Sequence, residues 1–135
     1  NNGQEAALRK INFFNKIFRS IDNSELKWNY CGAGKNYLMI DVENKIYTCP
    51  WDVGQKQEQV GINSDLFPEK LLQYQSSLIE LNNCSECWAR HLCGGGCMYI
   101  NKQANEDKHK KDELFCQRTQ NLIALALMYY KEARA

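Results

Sequence analysis

The stretch Cys84–Cys97, CSECWARHLCGGGC, constrains this chain more than any other. It places four cysteines in fourteen residues, with two, five and three residues between successive ones. Three more lie outside it, Cys31 and Cys49 before and Cys116 after. Thiols gathered like this bind metal or pair as disulfides. Seven is an odd number, so an all-disulfide framework strands one thiol. No basic stretch followed by an apolar run opens the chain, so no secretion signal is apparent. Metal ligation by reduced cysteines in the cytoplasm is therefore the better expectation.

The rest of the composition mainly excludes. The 135 residues make one domain or part of a larger protein. A formal charge of +1, with acids and bases interspersed, gives no support to nucleic-acid or membrane binding driven by net charge. No apolar run is long enough to cross a bilayer. The opening NNGQEAALRK reads as a cut just ahead of a helix.

Residues 5–22 carry Leu8, Ile11, Phe14, Ile17, Phe18 and Ile21 at three- and four-residue spacing, which predicts one amphipathic helix. Its stripe packs either on its own domain or on a preceding one. After Trp28–Cys31, Gly32 and Gly34 let the backbone turn beside the Cys31 sulfur. Tyr37–Val42 and Lys45–Thr48 read as a β-hairpin, with Asn44 suited to the left-handed position of its turn. This hairpin carries Cys49 back towards Cys31. Val60–Ile62 reads as a short strand. Asp65–Leu81 contains a helix with Pro68 in its first turn and Leu66, Leu71, Leu72, Leu78 and Ile79 as core candidates. Asn82 and Asn83 break that pattern. The charge run 101–113 reads as a solvated loop, with His109 in solvent. A last helix runs from Leu114 through Cys116, Leu122, Ile123, Ala126, Leu127 and Tyr130.

Zinc takes four ligands, usually cysteines in closely spaced pairs, and Cys84/Cys87 with Cys93/Cys97 fit that loosely. A zinc-binding interaction module without redox role is thus one reading, but it leaves Cys31, Cys49 and Cys116 unexplained. Iron–sulfur clusters use the same soft ligands and take more of them. Two clusters want up to eight, so seven cysteines leave one cluster a ligand short. Gly94, Gly95 and Gly96 remove three side chains where an inorganic core must approach the main chain, and their N–H groups can point at sulfur.

The order Cys31, hairpin, Cys49, then Cys84-x2-Cys87-x5-Cys93-x3-Cys97, then Cys116 resembles the SPASM domain of radical SAM enzymes that modify ribosomally made peptides and proteins. The resemblance covers residues 28–130 and includes all seven cysteines of the family motif. Where the family usually has Gly five residues before its second cysteine, this chain has Asn44, the next-best residue at positive φ. The resemblance implies a small α+β fold, with a β-hairpin, helices and loops organised around two [4Fe–4S] clusters. It implies residues 1–27 as a helical linker from a radical SAM barrel and residues 28–135 as the cluster domain. It assigns Cys31, Cys49 and Cys97 to the first auxiliary cluster and Cys84, Cys87, Cys93 and Cys116 to the second. Some relatives supply an eighth cysteine upstream of the hairpin. Here the first cluster would have an open iron or another ligand, with Asp52, Glu86, Asn29 and His91 as candidates and none favoured.

The C-x3-C-x2-C motif that holds the S-adenosylmethionine-cleaving cluster is missing, since the residue three after Cys97 is Ile100. This chain therefore contributes no catalytic residue of its own, and S-adenosylmethionine belongs to the parent enzyme. The implied role is substrate engagement and electron transfer in a peptide maturase, with a lean towards thioether formation. The implied partners are the upstream radical SAM domain, a ribosomal peptide, and a flavodoxin or ferredoxin donor. Trp51, Trp88, Tyr47 and Tyr99 flank the ligands and are expected to exclude water. Arg90 and Lys35 are expected to offset cluster charge or lie at the surface. A fold this rich in loops is expected to depend on its metal. A stand-alone ferredoxin-type carrier is the third reading, but it lacks the tighter C-x2-C-x2-C run.

Overall fold

Asp41 and Asn44 build the turn from which the sheet grows. Asp41 Oδ1 accepts the N–H groups of Glu43 and Lys45, each at 2.9 Å. Asn44 takes the left-handed conformation at φ 63°, as its sequence position predicts. The computed structural model, which describes residues 2–134 with side chains for residues 3–130, closes a hairpin here between β1 (Met39–Ile40) and β2 (Lys45–Tyr47). Met39 faces Tyr47 and Ile40 faces Ile46. The paired part is shorter than expected because the outer strand is an edge on which Leu38, Ile40 and Val42 are exposed. Two more strands, β3 (Gly61–Ile62) and β4 (Asp65–Leu66), complete a four-stranded antiparallel sheet in sequential order. β4 lies just ahead of the helix that Pro68 opens, and Asn63 at φ 57° makes the tight turn between β3 and β4. The class is α+β, as expected.

The helix expected within Asp65–Leu81 divides. Pro68 opens α3 (Pro68–Leu71), a 3₁₀ turn follows over Leu72–Tyr74, and α4 (Leu78–Leu81) starts at a Ser77 cap. The tighter turn buries Tyr74, whose hydroxyl accepts from Thr48 Oγ1 at 2.7 Å. Leu66 and Leu72 are consequently exposed rather than core, whereas Leu78 and Ile79 are buried as expected.

The single N-terminal helix is also two, α1 (Asn2–Leu8) and α2 (Asn12–Asp22). Arg9 sits in the break, bonding Glu5 at 2.6 Å and Asp22 at 3.0 Å and lying over the Phe18 ring. Ile11 falls in the break and is exposed. Both helices pack on the long final helix, which we number α7 (Glu113–Arg134). Phe14, Ile17, Phe18, Ala89, Ile123 and Ala126 form the core there, so the stripe is covered within this chain.

Between sheet and α7 come α5 (Arg90–Cys93) and α6 (Met98–Asn105). α6 overturns the reading of 101–113 as a solvated loop. Asn101 is 1% exposed and bonds Asn82 Oδ1, the Lys108 carbonyl and the Asp112 N–H. Lys102 and Lys108 both pair with buried Glu58, from more than forty residues away in the chain. His109 is exposed, as expected. Among the described residues no helix is long and apolar enough to cross a membrane.

Candidate metal centre

Three segments meet at the glycine triplet. Gly94 takes φ 88° and ends α5, its N–H donating to Arg90 O at 2.8 Å. A Cβ on Gly94 would lie 2.5 Å from the Asn29 carbonyl, and one on Gly95 2.4 Å from the Leu78 carbonyl carbon. The segment leading to Cys31 and the segment leading to Cys84 thus both touch the CGGGC main chain. Asn29 Oδ1 ties the two together by accepting the Leu78 N–H at 2.9 Å. Asn82 Nδ2 holds Gly95 O at 2.5 Å, and the Cys84 N–H donates to Ile79 O at 2.9 Å. The glycines were expected to clear room for an inorganic core. At Gly94 and Gly95 that room is taken by main chain, and only Gly96 has no closer neighbour than the Phe115 ring at 3.6 Å.

Three of the seven thiols share one cleft. Cys31, Cys49 and Cys97 line one cleft with Thr48, Asp52 and Tyr74. Burial pushes the Cys49 thiol up, and the negative charges of Asp52, Cys97 and Cys31 add to it. Cys97 is likewise raised by burial and by Cys31 and Asp52, partly offset by the N–H groups of Ile100 and Tyr99. Burial, the charge of Cys31 and a hydrogen bond to that thiol push Tyr37 up to about 12. The other four gather elsewhere. Burial raises Cys84, with Cys87 and Cys93 adding and Lys111 opposing. Cys116 reaches about 11 through burial and Glu113, with Cys84 and Cys93 contributing. Gln120 Nε2 donates to Cys87 Sγ at 3.4 Å. Of the two cysteines at the ends of the glycine triplet, Cys97 lines the first cleft and Cys93 lines a second one that Cys31 also reaches.

Tyr30 and Lys27 feel cysteines of both groups. Burial raises Tyr30, with Cys97 and Cys93 adding, and burial lowers Lys27, which feels Cys93 and Cys31. Both line a second cleft of about 600 Å³, along with Lys16, Arg19, Cys31 and Cys93.

The donors suit a soft metal group: seven thiols, all free of disulfides, with a buried carboxylate beside three of them. Among the described residues no three His, Cys, Asp or Glu side chains converge closely enough to hold one metal ion. A lone zinc draws four ligands to roughly 2.3 Å from one point; a four-iron cube instead holds each thiolate at its own corner. The first cleft is about 30 Å³, room for water rather than for a cube. Cys31, at this cleft, is exposed.

The four candidates for the missing ligand separate. Asn29 is committed to Leu78. Glu86 is exposed. His91 Nδ1 is buried without a partner, but the ring packs edge-on against Trp28 and does not line the first cleft. Asp52 does line it, 6% exposed. Of the flanking aromatics, Tyr47 is buried, while Trp51, stacked on Tyr99, and Trp88 are mostly exposed and exclude little water. Lys35 donates to the carbonyls of Tyr74 and Ser76, and Arg90 to that of Cys87.

Sequence reading missed Asn82, Asn101 and Glu58. Asn82 looked like a helix breaker, and nothing in the spacing joins it to Asn101 or Glu58 to its two lysines.

No family profile matches the chain. Over 76 residues it is 32% identical to the mycofactocin maturase MftC of Mycolicibacterium smegmatis. That stretch is 52% of this chain and 19% of that protein, so the chain corresponds to a minor part of the relative's length.

Proposed function

We propose that this chain is the auxiliary iron–sulfur domain of a radical SAM peptide maturase. Cys31, Cys49 and Cys97 hold one [4Fe–4S] cluster; Cys84, Cys87, Cys93 and Cys116 hold the other. The observation that carries this is that Cys31, Cys49 and Cys97 line one cleft, while the charges of Cys84, Cys87 and Cys93 act on one another and on Cys116. Partial identity to a maturase supports the same reading. Such clusters, when bound, pass single electrons and offer iron to sulfur ligands. Residues 1–27 lead from the preceding barrel, where S-adenosylmethionine is cleaved, and residues 28–135 form the cluster domain. A ribosomally made peptide is the substrate, and a flavodoxin or ferredoxin supplies electrons. The chain's own residues orient the thiols through Asn29, Asn82 and the glycines. The basic cleft between the two sets, with Lys16, Arg19 and Lys27, is where a peptide would approach.

The test is anaerobic loading with iron and sulfide. The expected protein is brown, with about eight irons and eight sulfides per chain. Cys93→Ser and Cys97→Ser should each impair one cluster, and not the same one, by EPR. A colourless protein with stoichiometric zinc and no sulfide, or loss of the same cluster in both variants, refutes the assignment.

A further inference from the structure

We infer that Asp52 is the fourth protein ligand of the cluster assigned to Cys31, Cys49 and Cys97, its Oδ1 meeting the iron that no cysteine reaches. This rests on the cluster assignment proposed above. Asp52 ends the short 3₁₀ turn Pro50–Asp52, and its N–H donates to Cys49 O at 3.0 Å, which folds residue 52 back beside that ligand. Asp52 lines the same cleft as the three cysteines. It is 6% exposed, and Oδ1 is buried with no hydrogen-bond partner.

A carboxylate left like this is costly unless a cation or donors meet it. Two cations are near: Lys102 and Lys108 line the same cleft. Both, however, place their Nζ on Glu58, one on each carboxylate oxygen. Glu58 thus takes both lysines and leaves Asp52 Oδ1 unpaired among three thiols. A site of one carboxylate and three thiolates gives a four-iron cube four anionic corners. Carboxylate is a harder donor than thiolate, so the potential of this cluster should lie above that of an all-cysteinyl one.

The test uses the full chain, labelled with ¹³C at the aspartate carboxyls and loaded anaerobically with iron and sulfide. In the reduced protein, pulsed ENDOR on the first cluster should show a ¹³C coupling well above the distant-nucleus background. Asp52→Asn should abolish that coupling while the EPR signal of the second cluster, a folding control in the same tube, is unchanged. Asp52→Cys should keep the iron content and lower the midpoint potential of one cluster only. Two clusters in the parent chain without the coupling, or with a coupling that survives Asp52→Asn, overturn the ligand and leave the cluster assignment standing. Failure of the parent chain to take up iron and sulfide overturns both. If Asp52→Asn does not load, the parent spectrum and the Asp52→Cys potential still decide.

Discussion

Gly94 and Gly95 should be intolerant of any side chain, for a reason independent of metal. All three glycines of the triplet have positive φ, at 88°, 98° and 84°. An alanine at such a position carries roughly 1–3 kcal/mol of backbone strain. At Gly94 and Gly95 the new Cβ also meets main chain at 2.5 and 2.4 Å, atoms that cannot swing aside as a side-chain end can. Overpacking of that kind adds about 1–3 kcal/mol, so Gly94→Ala and Gly95→Ala should each cost about 2–6 kcal/mol. Gly96→Ala meets only Phe115 at ordinary contact distance, and Gly54→Ala, at φ 91°, meets nothing within 4 Å. These two should show the strain alone. With a urea slope of about 2 kcal/mol per molar, the first pair should lose roughly 1–3 M in midpoint and the second pair no more than about 1.5 M. The assay is urea unfolding by far-UV circular dichroism, on iron-loaded chain and on chain stripped by chelator. If all four variants fall together when stripped and separate only when loaded, the glycines serve the cluster, and the argument from crossing main chains is wrong.

Asn101→Leu should destabilise by about 3 kcal/mol or more in the same assay, because it strands Asn82 Oδ1, the Lys108 carbonyl and the Asp112 N–H in or near the core. Glu58→Gln should cost about 1–3 kcal/mol, less than a fully buried pair because both lysine side chains are partly exposed. Burial alone would raise the Glu58 carboxyl, but Lys102 and Lys108 outweigh it and the net shift is downward. Its contribution is therefore full above the ordinary carboxylate range and is lost as pH falls through the lowered value. The stability difference between parent and Glu58→Gln should shrink on acidification, read from urea midpoints between pH 7 and 3. Asn44→Val should cost roughly 1–2 kcal/mol for a branched residue at φ 63°, and Asn44→Gly should be near neutral.

The parts of this fold that a reader of the sequence can find are those written within a few residues. The Asp41–Asn44 turn is one: a carboxylate and a left-handed asparagine three residues apart fix a hairpin without outside help. Pro68 at a helix start and the periodic stripe of α7 are others. The break at Arg9–Ile11 has no proline or glycine to announce it. It arises because Arg9 bonds Glu5 on one side and Asp22 on the other, while both helices stay on α7. The charge run 101–113 misleads for a similar reason, since the partners of Lys102 and Lys108 lie on another element. In the candidate site, the family resemblance suggests the sulfurs as two sets, yet Asp52 is only one of four equal candidates for the missing ligand until Glu58 is seen to hold the nearby lysines. The glycine triplet was legible as a need for bare backbone. What lies against it was not, because Asn29 and Leu78 are remote in the chain.

Metal removal separates two kinds of stability here. The six residues buried together at the helical end, Phe14, Ile17, Phe18, Ala89, Ile123 and Ala126, include no candidate ligand. Each large apolar side chain buried there contributes roughly 1.5–3 kcal/mol whether or not iron is bound. The crossing at the glycine triplet is also made by main chain and asparagines alone. Cys31, by contrast, sits exposed on its loop, which Lys35 ties to the rim of the first cleft through the carbonyls of Tyr74 and Ser76. The expectation of a chain wholly dependent on metal therefore narrows to a local one. Chelation should leave most of the far-UV helical signal in place, while amide hydrogen exchange accelerates by tenfold or more (roughly 1.4 kcal/mol of lost protection per tenfold) in residues 31–37 and 84–93. Protection in α2 and α7 should change far less, though Cys87 and Cys93 pack at the edge of their core and will transmit some of the loss. A single cooperative loss of protection across α2, α7 and the cysteine loops would mean that the helices owe their packing to the metal after all.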